Sequence, residues 1–390
     1  MAQYFLDLVY SLTTCMSCFP SSPNLTINHR SFKILRLLGE GGFSYVYLVQ
    51  DNAGDLYALK KIRCPFGQES VQRAMKEVEA YKLFNHENVI KSIDYTITSD
   101  RSASTTLGRS DDGDDGSQKT VYILLPYFRR GNLQDAINAN LINHTIFPEG
   151  KLMRLFLGVC RGLQALHEHR LKRPGEVRAG AGTGAAAGGG GSDETIEPLM
   201  TPDVLAAHEG GQEGDIRAYA HRDIKPGNVM IDDDGLRPIL MDFGSMTPAP
   251  TPITSRTLAL SVQDNAAEHS TMPYRAPELF DVKTGSVIDE KVDIWSMGCT
   301  LYCALYGHSP FELATEESGG SLALAVCSGS YTFPEEGRLG GRKPGQIPVS
   351  EGVKEIIRMC LKVEPADRPN IRELIREVEK VIETSGDDEE

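Results

Sequence analysis

One stretch constrains this chain more than any other: His221-Arg222-Asp223-Ile224-Lys225-Pro226-Gly227-Asn228, followed by Asp242-Phe243-Gly244. It brings a lysine, an amide and two carboxylates into one short span. These groups suit the movement of a phosphoryl group. A carboxylate can orient a hydroxyl nucleophile, a lysine can sit near the transferred phosphate, and an amide with a second carboxylate can hold Mg²⁺. The loose transition state of that reaction needs positioning and charge neutralisation more than covalent chemistry, so these are the residue types to expect.

Upstream, Gly39-Glu40-Gly41-Gly42-Phe43-Ser44-Tyr45-Val46 reads as a phosphate-covering hairpin, with apolar alternation over residues 32–38 and 46–49. Glycines there let the backbone approach phosphates closely, and Ser44 replaces the third glycine of the usual pattern. A glycine-rich turn alone is weak evidence, since many hairpins carry one. Here it precedes a short strand ending in Lys60 and a helical stretch over residues 71–84 that carries Glu77. A Lys60–Glu77 ion pair would hold the lysine against the α- and β-phosphates of ATP. Read singly, Lys60 is a solvated strand lysine and Glu77 a surface carboxylate; the motifs downstream favour the pair.

Taken in order, these motifs resemble the eukaryotic protein kinases over about residues 32–382, interrupted by inserts. Gly39 to Val46, Leu83-Phe84-Asn85-His86, Leu124-Leu125-Pro126, Tyr219-Ala220-His221-Arg222-Asp223, Met241-Asp242-Phe243-Gly244-Ser245-Met246 and Tyr274-Arg275-Ala276-Pro277-Glu278-Leu279-Phe280 are similar to the Numb-associated kinase family, within it the serine/threonine kinase 16 branch. The resemblance implies an α+β, bilobal fold, with a small β-rich N-lobe (32–127) and a larger helical C-lobe (128–382). It implies Mg²⁺-ATP as cofactor and serine or threonine of proteins as acceptor.

Roles follow residue by residue. Asp223 is expected to accept the substrate hydroxyl's hydrogen bond and take its proton late in transfer, with Lys225 on the γ-phosphate. Asn228 and Asp242 supply oxygen ligands suited to Mg²⁺. Leu125 falls at the gatekeeper position. Pro126 (by its carbonyl only) and Phe128 would meet adenine through backbone groups, and Leu38, Val46 and Ala58 would pack on its ring. Glu278 resembles the family glutamate that pairs with an arginine near the C-terminus, here Arg368, and Asp293 is expected to anchor the catalytic loop from a buried helix. Thr271 stands where serine/threonine kinases carry a threonine bonded to the catalytic aspartate and lysine. Between Asp242 and Thr271, the hydroxyls Thr254, Ser255, Thr257 and Ser261 are candidate phosphorylation sites whose phosphate Arg222 could bind. Residues 258–268 are expected to form a short helix. The family tendency is a constitutively competent segment, so autophosphorylation without an obligatory upstream kinase is expected.

The 390 residues, 40% hydrophobic and 24% charged, fit one globular kinase domain, and a net charge of −14 argues against a nucleic-acid partner. Eight cysteines form no zinc-ligand array or secreted-domain framework, which points to a reducing compartment. Two polar stretches, 97–119 and 171–217, read as disordered inserts, the second rich in Ala and Gly. Because it separates a helix over 151–170 from the strand entering His221, its ends should lie close together. Residues 383–390 are an acidic tail.

Residues 1–31 read as a leader. Its apolar stretch 4–12 stands just ahead of Cys15-Met16-Ser17-Cys18. Residue 2 is Ala, which excludes N-myristoylation. An apolar segment with S-acylated Cys15 and Cys18 would supply the two signals that stable anchoring takes; the alternative is a plain leader. The resembled branch includes a palmitoylated fungal kinase of the vacuolar membrane. The expectation is therefore a serine/threonine kinase on the cytoplasmic face of an endomembrane, vacuolar by resemblance, with a role in vacuole or vesicle traffic; cytoplasmic placement is the alternative. A nucleotide-binding scaffold of kinase fold is the competing function, disfavoured because Lys60, Asp223, Asn228 and Asp242 are all present.

Overall fold

The computed structural model describes residues 24–65, 67–100, 118–170, 217–334 and 349–385. Cys15, Cys18, the core of both long inserts and the end of the acidic tail lie outside the described residues. The chain divides into two bodies, residues 1–78 with 91–127 and residues 79–90 with 128–390.

The first body is one antiparallel sheet. Its strands are β1 (Asn24–Ile27), β2 (Arg30–Glu40), β3 (Ser44–Asp51), β4 (Leu56–Cys64), β5 (Asp94–Asp100) and β6 (Gln118–Pro126), in the order β1-β2-β3-β4-β6-β5. Residues directly opposite in antiparallel strands share a face, so the pairs Ile34↔Val49 and Leu59↔Leu124 stack apolar side chains across the sheet. Ile27, Phe32, Val49, Leu59 and Leu124 form its fully buried core. Between β4 and β5 comes helix α1 (Gly67–Leu83), whose Val71, Ala74 and Val78 make a buried stripe at helical spacing.

Two boundaries differ from the sequence reading. The sheet starts at Asn24, inside the expected leader, because Leu25 and Ile27 alternate with polar residues and Ile27 is fully buried against the sheet. At the 97–119 insert, β5 and β6 continue into the polar stretch from both sides and pair as far as Asp100↔Gln118. A main-chain ladder accepts polar side chains, so composition alone marks that edge too early.

The second body is mostly helical. It contains α2 (Leu133–Asn143), α3 (Glu149–His167), β7 (Ala218–Ala220), β8 (Val229–Ile231), β9 (Pro238–Leu240), β10 (Thr247–Ala249), β11 (Thr251–Pro252), α4 (Arg256–His269), β12 (Val287–Ile288), α5 (Lys291–Tyr306), α6 (Pro310–Ser318), α7 (Leu322–Ser328), α8 (Glu351–Cys360) and α9 (Ile371–Ser385). Three small antiparallel pairs, β7 with β10, β8 with β9 and β11 with β12, hold the loops between the helices.

Helix α5 is the hub. Every residue from 292 to 304 is buried, as expected of a helix apolar on all sides. Gly307, at φ 88°, caps it in the left-handed region, where a side chain would be strained. Trp295 stacks on Phe311 at 5.3 Å, and the Arg368 guanidinium lies 5.1 Å from the Trp295 ring. Arg368 grips Glu278 through two bonds, 2.6 and 2.8 Å, and donates to the carbonyls of Lys291, Lys362 and Val363. Removing one side of such a buried pair costs on the order of 3–5 kcal/mol.

Gly162 of α3 lets the 88–90 segment approach. A Cβ there would stand 2.7 Å from the Asn88 carbonyl oxygen. That carbonyl accepts the Leu240 N–H, and the Asn88 amide donates to the Pro238 carbonyl, so close packing fixes the strand that leads to Asp242. At the long insert, the Arg217 N–H donates to the His169 carbonyl at 2.7 Å, so the described flanks of that stretch are adjacent.

Candidate active site

In the second body, the turn after β7 is suspended from α5. The Asp293 carboxylate, fully buried, accepts the backbone N–H groups of His221 and Arg222, each at 2.7 Å, and the His167 imidazole at 2.9 Å. Three donors converge on one carboxylate, which therefore stays satisfied without water. Arg222 holds φ 69°, a left-handed backbone costing on the order of 1–3 kcal/mol in a non-glycine residue. The paired amides on Asp293 hold that turn in place.

His221 joins this turn to the next. Its Nδ1 accepts the Asp223 N–H (3.3 Å) and its Nε2 donates to the Met241 carbonyl (3.0 Å), which assigns the neutral tautomer with the proton on Nε2. The Ser245 hydroxyl donates to the His221 carbonyl at 2.7 Å. Phe243 is buried beside His221, Tyr81 and Phe84, with ring centroids 5.5, 5.3 and 6.0 Å away. Asp242 is thereby held at φ 67°, ψ 76°, again left-handed.

Three side chains meet at Asp223. One carboxylate oxygen accepts the Thr271 hydroxyl (2.7 Å) and the Thr271 N–H (2.9 Å). The other accepts Lys225 Nζ (2.7 Å) and the Asn228 amide (3.1 Å). Lys225 also donates to the Thr271 hydroxyl at 2.7 Å. The Asn228 amide nitrogen donates in addition to the Asp223 carbonyl (2.8 Å), which orients the side chain. The Met241 N–H donates to the Asn228 carbonyl at 3.0 Å, tying the segment before Asp242 to Asn228. This donor set is all oxygen and suits a hard cation that keeps its other ligands from water and phosphate. Among the described residues no three or more His, Cys, Asp or Glu side chains gather as a metal cluster.

Arg222 is almost wholly buried. Burial pulls its pKa down to about 10, against the pull of Asp293, so it stays cationic at neutral pH. Its Nε has no partner. Thr254, Ser255, Thr257 and Ser261 are all exposed. Helix α4 runs longer than the expected 258–268, because the Ser255 hydroxyl caps it by accepting the Leu258 N–H at 3.2 Å.

In the first body, Lys60 and Glu77 form an ion pair at 2.6 Å, both largely buried. The hairpin between β2 and β3 closes with the Gly41 N–H on the Ser44 carbonyl at 2.8 Å. A Cβ on Gly39 or Gly42 would meet nothing within 4 Å, so no packing in the chain demands glycine there; what these glycines supply is room. Val46 pairs with Lys60, Ala58 with the buried Leu125, and Tyr57 with Pro126. Leu38 lies at a β2 irregularity between Leu37 and Gly39. In the second body, the Phe128 carbonyl accepts the Gly131 N–H at 3.2 Å.

Sequence reasoning passed over Ser245, His167, Ser270 and Arg275. Arg275 stands inside a quoted motif, and nothing in the local pattern marks it as bonded; its partners appear only once the chain turns back.

Comparison with known proteins agrees with this geometry. The Protein kinase domain family matches residues 32–172 and 217–378, and the chain belongs to that family. It is a serine/threonine protein kinase by its relatives. The Saccharomyces cerevisiae serine/threonine-protein kinase ENV7 is 38% identical over 96% of this chain and 98% of its own. The Schizosaccharomyces pombe serine/threonine-protein kinase ppk13 is 36% identical over 91% and 92%. Human serine/threonine-protein kinase 16 is 31% identical over 93% and 94%.

Proposed function

We propose that this chain transfers the ATP γ-phosphate to serine and threonine hydroxyls with Asp223 as base, phosphorylates itself, and works on an endomembrane. The observation that carries the catalytic reading is the four-way network of Asp223, Lys225, Asn228 and Thr271. Asp223 orients the acceptor hydroxyl and takes its proton. Lys225 steadies charge on the γ-phosphate. Lys60, fixed by Glu77, serves the α- and β-phosphates, and Gly39, Gly41 and Gly42 give their backbone close approach. Leu38, Val46, Ala58 and Leu125 take the adenine ring, and the backbone of Pro126 and Phe128 its edge. Asn228 and Asp242 hold Mg²⁺, which when bound neutralises phosphate charge. Thr271, by occupying Asp223 and Lys225 together, supports hydroxyl acceptors of serine and threonine type.

The segment that includes α4 is already built by β10, β11 and the Ser255 cap, without a phosphate, which supports activity independent of an upstream kinase. A phosphate on Thr254, Ser255, Thr257 or Ser261 would add to that order, and Arg222 is a cation suited to bind one.

Membrane attachment rests on the apolar start and Cys15 with Cys18, and the vacuole and vesicle-traffic role on resemblance to the branch that includes the ENV7 relative. Replacing both cysteines with serine should move the protein from the membrane to the soluble fraction; unchanged fractionation removes acylation from the reading.

The catalytic test compares wild type, phosphatase-treated wild type and Asp223→Asn with Mg²⁺-ATP and a protein substrate, reading sites by mass spectrometry. Transfer to Ser or Thr that survives phosphatase and falls at least a thousandfold in the variant is expected. Inactive wild type that still binds nucleotide would point to the scaffold function.

A further inference from the structure

The C-terminal end of α4 is fastened by a residue outside the helix. Arg275 Nε donates to the Ser270 hydroxyl at 2.7 Å. Its Nη2 donates to the Ser270 carbonyl at 2.9 Å and to the Ala267 carbonyl at 3.4 Å. The Ser270 hydroxyl passes its own proton to the Ala266 carbonyl at 2.6 Å, so it is filled as donor and acceptor. The guanidinium thus answers carbonyls that a helix end leaves without a partner, and its positive charge opposes the negative end of the helix dipole. Its other side rests against the Phe280 ring, 5.0 Å from the centroid. The side chain is nearly buried, so this geometry is held rather than sampled.

The next residue along the chain is Thr271, which makes both bonds to one oxygen of Asp223. The short 3₁₀ turn over Met272–Tyr274, closed by the Thr271 and Met272 carbonyls, folds the backbone back so that Arg275 reaches Ser270. Its far end is pinned where the Tyr274 carbonyl accepts the Ser296 hydroxyl of α5 at 2.8 Å. Burial lowers the Arg275 pKa, and the Asp223 charge opposes that shift, so the guanidinium also lies within the field of the catalytic carboxylate.

We infer that Arg275 is a positioning residue: its fork clamps the end of α4 to the 270–275 turn and thereby sets Thr271, and through Thr271 the catalytic Asp223. Helix α4 is then coupled to the rate of transfer through one side chain. A lysine in its place keeps the charge, but its point-like ammonium cannot span the Ser270 hydroxyl and two carbonyls as a planar fork does. This inference rests on Asp223 acting as the base.

The experiment uses full-length protein, with wild-type transfer as the first reading. Inactive wild type would overturn the catalytic reading itself; active wild type leaves the Arg275 coupling to be judged alone. Arg275→Lys, Ser270→Ala and the double variant are compared by kcat, by KM for ATP, and by the stoichiometry of nucleotide binding. Arg275→Lys is expected to lower kcat at least tenfold, with the KM for ATP within twofold and binding stoichiometry intact. The double variant is expected to be no slower than Arg275→Lys alone, since both remove one linkage. Unchanged kcat in Arg275→Lys would overturn the inference. So would multiplied losses in the double variant, or a loss that tracks missing nucleotide-binding protein with normal turnover per competent molecule.

Discussion

His86 shows how one half-buried side chain can tie the stability of a kinase to pH. Its Nδ1 accepts the Asn88 N–H at 3.1 Å, a role open only to the neutral ring. Burial, reinforced by Arg161 and opposed by Glu87, lowers its pKa from 6.5. The folded state therefore binds this proton less readily than the unfolded chain. The contribution is fully present above the unfolded value of about 6.5 and is lost as pH falls through the lower folded value. Protonation would also cost the bond to Asn88, whose carbonyl and amide fix Leu240 and Pro238. Thermal unfolding followed from pH 7.5 to pH 5 should show a smaller loss of stability in His86→Asn, which cannot titrate, than in wild type. An equal loss in both would remove His86 from the pH response.

Among the elements, chemistry is easier to read from sequence than packing. Asp223, Lys225, Asn228 and Asp242 are legible because phosphoryl transfer restricts their types and order, and the structure gathers the first three with Thr271 around one carboxylate. Asp293 and the Glu278–Arg368 pair are legible only through the resemblance, and the structure places both as that implies. Strand β1 escapes notice because four residues carry too little alternation to stand out. Strands β11 and β12, two residues each, have no pattern at all and exist because distant segments meet. Helix α4 is legible in its middle, while its ends depend on Ser255 and on Arg275, the latter a contact made by a later turn. Propensity speaks for a helix interior; a cap supplied from elsewhere in the chain is a tertiary fact.

At the scale of the molecule, the net charge is −14, and among the described residues no helix is long and apolar enough to cross a membrane. Both long inserts leave and re-enter at adjacent backbone, Asp100 beside Gln118 and His169 beside Arg217, so each can vary in length with little effect on the strands that flank it. The suspension of the His221–Arg222 turn from α5 bears on cooperativity. Loops ordinarily open by local fluctuations well below the global unfolding free energy. The His221 and Arg222 amides are bonded to a carboxylate inside the most deeply buried helix, so they can exchange with solvent only when α5 itself comes apart. Amide hydrogen exchange of the ligand-free protein should place both among the slowest class, together with the centre of α5; exchange at the rate of exposed turns would contradict this. The turn that carries Asp223 then behaves as part of the last unit to unfold, and the enzyme would lose its fold and the Asp223 network together.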